Sequence, residues 1–180
     1  MYIIACSMSI VARLLVSLLL FPAQPTSAPA TTQVSSKIAE FQGEYRFLSN
    51  FWPATVVYEG ITYPTSEHAY QAAKTLDVEQ RKRIAALQTP AEAKSAGRAL
   101  KLRDDWESVK FTVMEDVVRF KFTHHDDLRA KLLATGDAYL EEGNNWGDEV
   151  WGVCNGKGEN RLGKILMKIR SELKPAAAAP

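Results

Sequence analysis

The sequence predicts an α+β fold in which helices dominate a single domain and a small β-hairpin lies near the N-terminal end of that domain. The length of 180 residues gives room for one domain with a core and a tail. The composition, 46% hydrophobic and 24% charged, is typical of a globular protein. Helical periodicity recurs along the chain, whereas alternating strand patterns are few and short.

Strand signals occur in two places. A hairpin is predicted at residues 55–63, where the side chains alternate and the turn falls at Glu59-Gly60. A second short strand is expected at residues 137–140. Residues 142–158 are rich in glycine and asparagine and are predicted to form a loop.

Helix signals are stronger and more numerous. A helix is expected after Pro64, and Thr89-Pro90-Ala91-Glu92 is a capping box with proline at the first helical position. Asp104 followed by Glu107 begins a long helix, which we expect to form the spine of the core. Its apolar face consists of Trp106, Val109, Val113, Val117 and Phe120, and two further helical segments cover residues 127–135 and 160–173.

The two ends of the chain differ from the middle. Residues 1–39 read as a leader with a flexible linker, residues 40–174 as the domain and residues 175–180 as a tail of proline and alanine. The apolar run at residues 14–21 is too short to span a bilayer, so no stable membrane anchor is expected. A secretory or organellar leader and a disordered extension of a cytoplasmic protein remain alternatives.

Charge and cysteine content limit the class of function. The chain has 22 basic and 21 acidic side chains, which argues against a protein held to nucleic acid by bulk charge alone. A local basic pocket for a phosphate is compatible with this balance. The two cysteines, Cys6 and Cys154, indicate no disulfide framework, and no histidine has zinc-ligand spacing. We therefore expect no structural metal.

A polar stripe follows Pro64. Glu67, Tyr70, Gln71 and Lys74 are spaced at i, i+3, i+4 and i+7 of the predicted helix and are flanked by alanines. Such a stripe is either a solvated face or the wall of a pocket, and the pattern alone favours a solvated face. By the same reasoning His68 is expected to be a hydrogen-bonded structural histidine.

Residues 144–164 contain the second candidate feature. Two tryptophans, two acids and several glycines are costly to order in a loop that has no function. Trp151 suits stacking on a base or sugar. Gly156 and Gly158 precede a predicted helix and would let backbone N–H groups approach a phosphate, with charge from Lys157, Arg161 or Lys164.

Two residues outside these segments have alternative interpretations. Asn50 interrupts an aromatic cluster at residues 47–52, where it would either fix a ligand through its donor and acceptor or cap a turn. Trp106, taken alone, is most simply a core residue of the long helix.

Six motifs in order resemble the NADAR (YbiA-like) family over roughly residues 41–173. One departure is at Val153-Cys154-Asn155, where the family pattern is richer in glycine and aspartate. The motifs are FLSNF at 47–51, YPTSEHAYQAAK at 63–74, AKSAGR at 93–98, RDDW at 103–106, LATG at 133–136 and the segment 151–164, from WG to NRLGK.

The resemblance implies an N-glycosidase that cleaves the bond between ribose C1 and a nitrogen. Two substrates are implied: ADP-ribose attached to guanine in nucleic acid, and a phosphoribosylated pyrimidine intermediate of riboflavin biosynthesis. We expect the first, with no cofactor, no metal and no partner protein. A non-catalytic module that binds ADP-ribose or NAD is the alternative from a different class.

The resemblance also implies roles for individual residues. Glu67 resembles the essential acid of the family, Lys74 a second active-site residue and Asp148 a pocket residue that would share the catalytic work. The substrate contacts implied by the motifs are Asn50, Trp106, Trp151, Asn160, Arg161 and Arg98.

Two chemical routes fit these residue types. A carboxylate can stabilise the oxocarbenium-like centre while a second group handles protons or water, which Glu67 and Asp148 would divide between them. Alternatively, Lys74, desolvated among alanines, would capture the opened ribose aldehyde as a Schiff base. The sequence leaves both routes open.

Overall fold

The structure, a computed structural model, describes residues 36–175 of the chain. The predicted leader at residues 1–39, apart from its last four residues, and the predicted tail, apart from Pro175, lie outside the described residues. The fold class is the α+β, helix-dominated one that the sequence predicts. None of the helices in residues 36–175 is long and apolar enough to cross a membrane.

The described residues form six strands of two or three residues each and seven helices. The strands are β1 Lys37–Ile38, β2 Val56–Tyr58, β3 Ile61–Tyr63, β4 Tyr139–Leu140, β5 Gly143–Asn144 and β6 Val153–Cys154. The helices are a 3₁₀ helix at Gly43–Leu48, α1 Ser66–Ala72, α2 Val78–Ala85, α3 Pro90–Ala99, α4 Trp106–His124, α5 Asp126–Ala134 and α6 Arg161–Leu173.

The predicted hairpin is confirmed. Strands β2 and β3 pair antiparallel with Tyr58 opposite Ile61, so the turn is Glu59-Gly60. Both turn residues have positive φ, 45° and 77°. This is the conformation of a type I′ turn, whose twist matches that of the flanking strands. The other pairs, β1 with β4 and β5 with β6, are parallel and two residues long.

Side chains cap the starts of α1 and α3, and the cap of α3 is the predicted capping box. Thr65 caps α1 by accepting a hydrogen bond from the His68 N–H at 3.3 Å. At α3 the capping box is complete, because the Glu92 N–H donates to Thr89 Oγ1 at 3.2 Å and the Thr89 N–H donates to Glu92 Oε2 at 2.9 Å. Local sequence therefore fixes where both helices begin.

Helix α4 is the central element of the core, as predicted. It packs against β2, α1, α5 and α6. The buried face of α4 differs slightly from the predicted one. Val109 and Phe120, which were predicted to belong to it, are only partly buried, and neighbouring residues are buried in their place. The buried residues are Trp106, Val113, Met114, Val117, Val118, Lys121 and Phe122.

Five of the described elements were not predicted. Helix α2 has no apolar stripe, since its buried residues are only Arg81 and Ile84. The 3₁₀ helix overlaps the start of the aromatic cluster, and β1 lies in the segment predicted as linker, where it pairs with β4. The short strands β5 and β6 lie within residues 142–158, which were predicted to be a loop. Helix α1 packs against α2, α3 and α4, so it is enclosed by helices that arrive from later in the chain.

Candidate active site

A cavity of about 450 Å³ opens beside α1. Its walls come from α1, α3, α4 and from the chain segments 41–51 and 142–151. The lining residues are Phe41, Gln42, Arg46, Ser49, Asn50, Phe51, Glu67, Tyr70, Gln71, Lys74, Lys94, Arg98, Trp106, Glu107, Lys110, Met114, Glu142, Gly143, Trp146, Asp148, Val150 and Trp151. Such a volume is within the usual range for small-molecule sites.

The polar stripe of α1 forms a wall of this cavity, and the solvated-face interpretation is wrong. Glu67, Tyr70 and Gln71 are 6%, 5% and 4% exposed. The pattern misled because α1 is covered on several sides by other helices, so the polar face is buried as well. Lys74 lies two residues beyond the end of α1 and still lines the cavity.

Glu67 is held at two points. Its N–H donates to the Asn50 carbonyl oxygen at 3.1 Å, and Gln71 Nε2 donates to its Oε1 at 2.7 Å. Burial raises the pKa of Glu67, whereas the hydrogen bond from Gln71 and the charges of Lys94 and Lys74 lower it. The fold therefore places a strongly desolvated carboxyl group against the cavity.

Lys74 is partly desolvated. Its Nζ lies 5.8 Å from the centroid of the Tyr70 ring. Burial lowers the pKa of Lys74, Glu67 raises it, and the neighbouring cations Arg98 and Lys94 lower it further. A lowered pKa increases the fraction of neutral amine that can act as a nucleophile.

Asp148 shapes the loop that closes the cavity. Its Oδ1 accepts hydrogen bonds from the N–H groups of Val150 at 3.2 Å and Trp151 at 2.9 Å. The Asn144 side chain binds both backbone polar groups of Asp148, at 3.1 Å and 2.8 Å. These bonds fix the loop so that Asp148 and Trp151 line the cavity together.

Aromatic rings form one side of the cavity. The Tyr70 ring centroid is 5.2 Å from that of Trp106 and 5.4 Å from that of Trp151, with the second pair edge-to-face. Trp106 is 5% exposed, so it is a core residue and a lining residue at once. Trp146, in contrast, is 58% exposed at the cavity rim.

Asn50 has spare hydrogen-bonding capacity. It is 7% exposed, and its Nδ2 contacts Met114 Sδ at 3.2 Å. Its Oδ1 has no partner among the described residues. A buried, unpaired acceptor on a cavity wall is a position where a ligand donor can bind.

Two predicted ligand contacts lie away from the cavity. Asn160 uses its side chain internally, accepting from the Glu142 N–H at 3.1 Å and donating to the Leu140 carbonyl oxygen at 2.8 Å. The Arg161 guanidinium pairs with Glu159 at 2.6 Å and lies 4.6 Å from the Phe111 ring centroid. The proposed phosphate cradle, formed by Gly156, Lys157, Gly158 and Lys164, does not line the cavity either.

The structure adds cavity residues that sequence reasoning missed. Glu142 joins Glu67 and Asp148, and its only sequence signal is its position just after the predicted strand 137–140. The added basic residues are Arg46, Lys94 and Lys110. Lys94 lies in the AKSAGR motif but was not singled out, and the three residues come from separate elements that meet only in the folded chain.

Four basic side chains on the cavity wall have no carboxylate partner within ion-pair distance among residues 36–175. They are Arg46, Lys74, Lys94 and Arg98. Unpaired cations in a concave site suit an anionic ligand such as a phosphate. In this described part of the chain, no group of three or more His, Cys, Asp or Glu residues is arranged to hold a metal ion.

Known proteins are similar to this chain in sequence and in fold. A protein from Shigella boydii named N-glycosidase YbiA is 47% identical over 135 residues, covering 72% of this chain and 82% of that protein. The NMR structure of E. coli YbiA matches with a TM-score of 0.67 and 39% identity, covering 78% of this chain and 89% of the other.

A third relative is larger. The riboflavin biosynthesis protein VVA0006 of Vibrio vulnificus is 39% identical over 134 residues, which cover 73% of this chain and 36% of that protein. The profile of the NADAR domain matches residues 38–174, and the family predicted from the motifs is thereby confirmed. The chain belongs to the NADAR domain family.

Proposed function

We propose that the chain is an N-glycosidase that hydrolyses the ribose C1–N bond of a phosphorylated ribosyl substrate, with Glu67 as the central catalytic carboxylate. The observation that carries the proposal is that a buried Glu67 and four basic side chains without a carboxylate partner among the described residues line the same cavity. The name N-glycosidase on relatives of up to 47% identity supports the same reaction class.

Different side chains contact the three parts of the substrate, which are the phosphate, the base and the ribose. Unpaired cations such as Lys94 and Arg98 bind the phosphate, and the Trp106–Tyr70–Trp151 cluster contacts the base. The ribose then lies against Glu67. Breaking the C1–N bond generates positive charge on the ribose, which a desolvated carboxylate stabilises more strongly than a hydrated one.

ADP-ribose on guanine in nucleic acid is the substrate we propose first. Trp146 at the exposed rim supports it, because an exposed ring beside a base pocket suits stacking on a neighbouring nucleotide. The balanced overall charge is compatible with this, since the substrate is then recognised through one modified nucleotide rather than through a long stretch of backbone.

A phosphoribosylated pyrimidine of riboflavin biosynthesis is the second candidate. The observation in its favour is the name of the Vibrio vulnificus relative, riboflavin biosynthesis protein, whose matching region is 39% identical to this chain. This substrate lacks a nucleic acid strand, so it gives Trp146 no role. Trp146→Ala therefore separates the two candidates. We expect it to raise KM for the nucleic acid substrate and to leave KM for the free nucleotide unchanged.

Lys74 offers a covalent route within the same reaction. When the ribose ring opens, C1 is joined to the base nitrogen as an iminium, and the Lys74 amine adds to C1. The bond from C1 to the base then breaks, its electron pair and a proton from the amine go to the base nitrogen, and the Schiff base that remains on Lys74 is hydrolysed by water. Borohydride added during turnover reduces such an intermediate and leaves ribose bound to Lys74, which mass spectrometry detects. The absence of the adduct in an active sample assigns the chemistry to the carboxylates alone.

The test compares both substrates with purified full-length protein. Release of ADP-ribose from modified DNA supports the first candidate, and release of ribose 5-phosphate from the pyrimidine supports the second. Glu79→Gln, an exposed substitution on α2, is the matched control for Glu67→Gln. Tight binding of ADP-ribose by the parent protein without turnover of either substrate would instead support the binding-module alternative.

A further inference from the structure

Glu142 is held firmly at the edge of the cavity. Its N–H donates to Asn160 Oδ1 at 3.1 Å, and its carbonyl oxygen accepts from the Val153 N–H at 2.9 Å. Gly152 packs against the same carbonyl so closely that an added Cβ would lie 2.2 Å from it. Both peptide groups that flank the side chain are therefore fixed, and Glu142 lines the cavity from this fixed backbone.

We propose that Glu142 is the general acid that protonates the leaving base. The inference rests on the N-glycosidase function proposed above and assigns a second catalytic residue to it. It also gives Asn160 a role other than ligand contact, because the Asn160 side chain positions Glu142 through the backbone.

Hydrogen bonding distinguishes Glu142 from two other carboxyl groups of the cavity, Glu67 and Asp148. Glu67 accepts from Gln71, and Asp148 accepts from two backbone N–H groups. No described residue donates a hydrogen bond to the Glu142 carboxyl group. A carboxylate without donors is costly to ionise in a desolvated site, which favours a proton on Glu142. The hydrogen bond from Gln71 and the charges of Lys94 and Lys74 favour the ionised form of Glu67.

The surroundings of Glu142 act in the same direction. Burial raises the pKa of Glu142 to about 8, Asp148 and Glu67 contribute to the rise, and Lys94 opposes it. At neutral pH Glu142 is thus mostly a neutral acid with an O–H to donate. Enzymes that break glycosidic bonds use such a pair, one carboxyl group protonated and the other ionised.

The step balances as follows. The Glu142 O–H proton moves to the leaving base nitrogen as the C1–N bond breaks and its electron pair stays on that nitrogen. Positive charge on the ribose is stabilised by the Glu67 carboxylate. Water then bonds to C1, and its proton returns to the Glu142 carboxylate, which restores the acid.

A buried acceptor supports ligand binding at this place independently. Asn50 Oδ1 is unpaired among the described residues and belongs to a side chain that lines the same cavity. A donor group of the substrate would satisfy it. The cluster is therefore part of a binding cavity and not an isolated patch of acids.

The kinetic test uses leaving groups of different basicity. Glu142→Gln should lower kcat on the natural base by about 10²–10⁴-fold, the usual contribution of a general acid. On a nitrophenyl riboside phosphate, whose leaving group departs without protonation, the loss should be under about tenfold. Glu67→Gln should lose both activities, because charge stabilisation is needed for either leaving group.

Glu141→Gln is the matched control, since Glu141 is the adjacent residue, pairs with Lys37 at 2.9 Å and does not line the cavity. Equal losses on both leaving groups in Glu142→Gln would overturn the proposal. Full activity of Glu142→Gln, with Glu67→Gln inactive, would also overturn it while leaving the proposed function intact.

A second readout needs no turnover. Infrared spectra of the full-length protein should show a protonated carboxyl band at neutral pH that disappears as the pH rises through about 8. The part of the band that titrates near pH 8 should be absent from Glu142→Gln and present in Glu141→Gln. Persistence of that part in Glu142→Gln would overturn the assignment even if the parent protein turned over no ribosyl substrate.

Discussion

Lys121 shows how single side chains support the cavity from behind. It is 1% exposed on α4, and its Nζ donates to the carbonyl oxygens of Phe47 at 2.6 Å and Ser49 at 2.8 Å. The next residue, Asn50, lines the cavity and binds the Glu67 N–H through its carbonyl oxygen. Lys121 thereby fixes the chain segment that positions Asn50 and, through it, Glu67.

Burial of Lys121 gives stability a pH dependence of defined sign. Burial lowers its pKa to about 7, whereas the unfolded value is about 10.4. Between these pH values Lys121 is protonated in the unfolded chain and neutral in the folded chain. Its contribution therefore increases the free energy of unfolding as the pH rises, by at most about 1.4 kcal/mol per pH unit. Glu142, whose pKa is raised, contributes with the opposite sign up to about pH 8.

Lys121→Met isolates the lysine contribution because every other group is unchanged. Its unfolding free energy should be lower, since two buried carbonyls lose their donor at about 1–3 kcal/mol each. The difference from the parent should grow as the pH rises. Urea unfolding at about pH 7 and about pH 9 measures it. A difference that is the same at both values would contradict the lowered pKa.

At the scale of elements, the contact between α1 and α3 sets the position of Glu67. Gly97 on α3 faces Gln71 so closely that an added Cβ would lie 1.9 Å from Gln71 Oε1 and 2.7 Å from its Cδ. Gln71 in turn donates to Glu67. Gly97 therefore makes the space in which Gln71 can hold the carboxylate.

Gly97→Ala is predicted to lower kcat/KM by about 10- to 100-fold, because a hydrogen bond to a charged group contributes about 1.5–3 kcal/mol. Helix propensity alone would raise the free energy of unfolding of Gly97→Ala by about 1 kcal/mol and would leave activity unchanged. Loss of the Gln71 donor also raises the pKa of Glu67, so the acidic limb of the pH profile should move upward.

A double-mutant cycle checks that both residues act through one contact. Gln71→Ala should match Gly97→Ala, and the double variant should be no worse than Gln71→Ala alone. Thermal unfolding shows whether each variant is folded. Additive losses in the double variant would mean that Gly97 acts by another route.

Elements with local signals were predictable, and those without them were not. The capping box at Thr89 and the turn at Glu59-Gly60 specify their structures through neighbouring residues. Helix α2, which buries only Arg81 and Ile84, has no apolar stripe for periodicity to detect. Pattern reasoning identifies a helix by its buried face, so a mostly polar helix is missed.

The residues of the candidate site were predictable from motifs more than from local structural signals. Glu67 entered as a candidate through an ordered motif, because spacing on α1 alone favoured a solvated face, and Asp148 entered through the resemblance although it lies outside the quoted motifs. Lys94 lies within the AKSAGR motif without being singled out there, and Glu142 lies in no motif, so only tertiary packing shows that both line the cavity. Asn160 was assigned to a ligand because a resemblance marks a position without saying whether its side chain faces the cavity or the backbone.

For the whole molecule, we expect the working unit to lie within the described residues. The NADAR match covers residues 38–174, and all cavity residues fall between Phe41 and Trp151. A shortened chain of residues 36–175 should therefore fold and keep kcat/KM within about twofold of the full chain, since substitutions remote from a site change little. Thermal unfolding and the substrate assay check this. Loss of β1, by starting at residue 40, should lower stability because β4 then lacks its partner.

The central claim is that Glu67 performs ribosyl hydrolysis in this cavity. The most direct measurement combines single-turnover release of the ribose moiety with substrate affinity for the parent protein, Glu67→Gln and the control Glu79→Gln. We predict that Glu67→Gln keeps substrate affinity within about tenfold and loses about 10³-fold or more in turnover, as expected for a group that acts in the transition state. Undiminished turnover in folded Glu67→Gln would contradict the account.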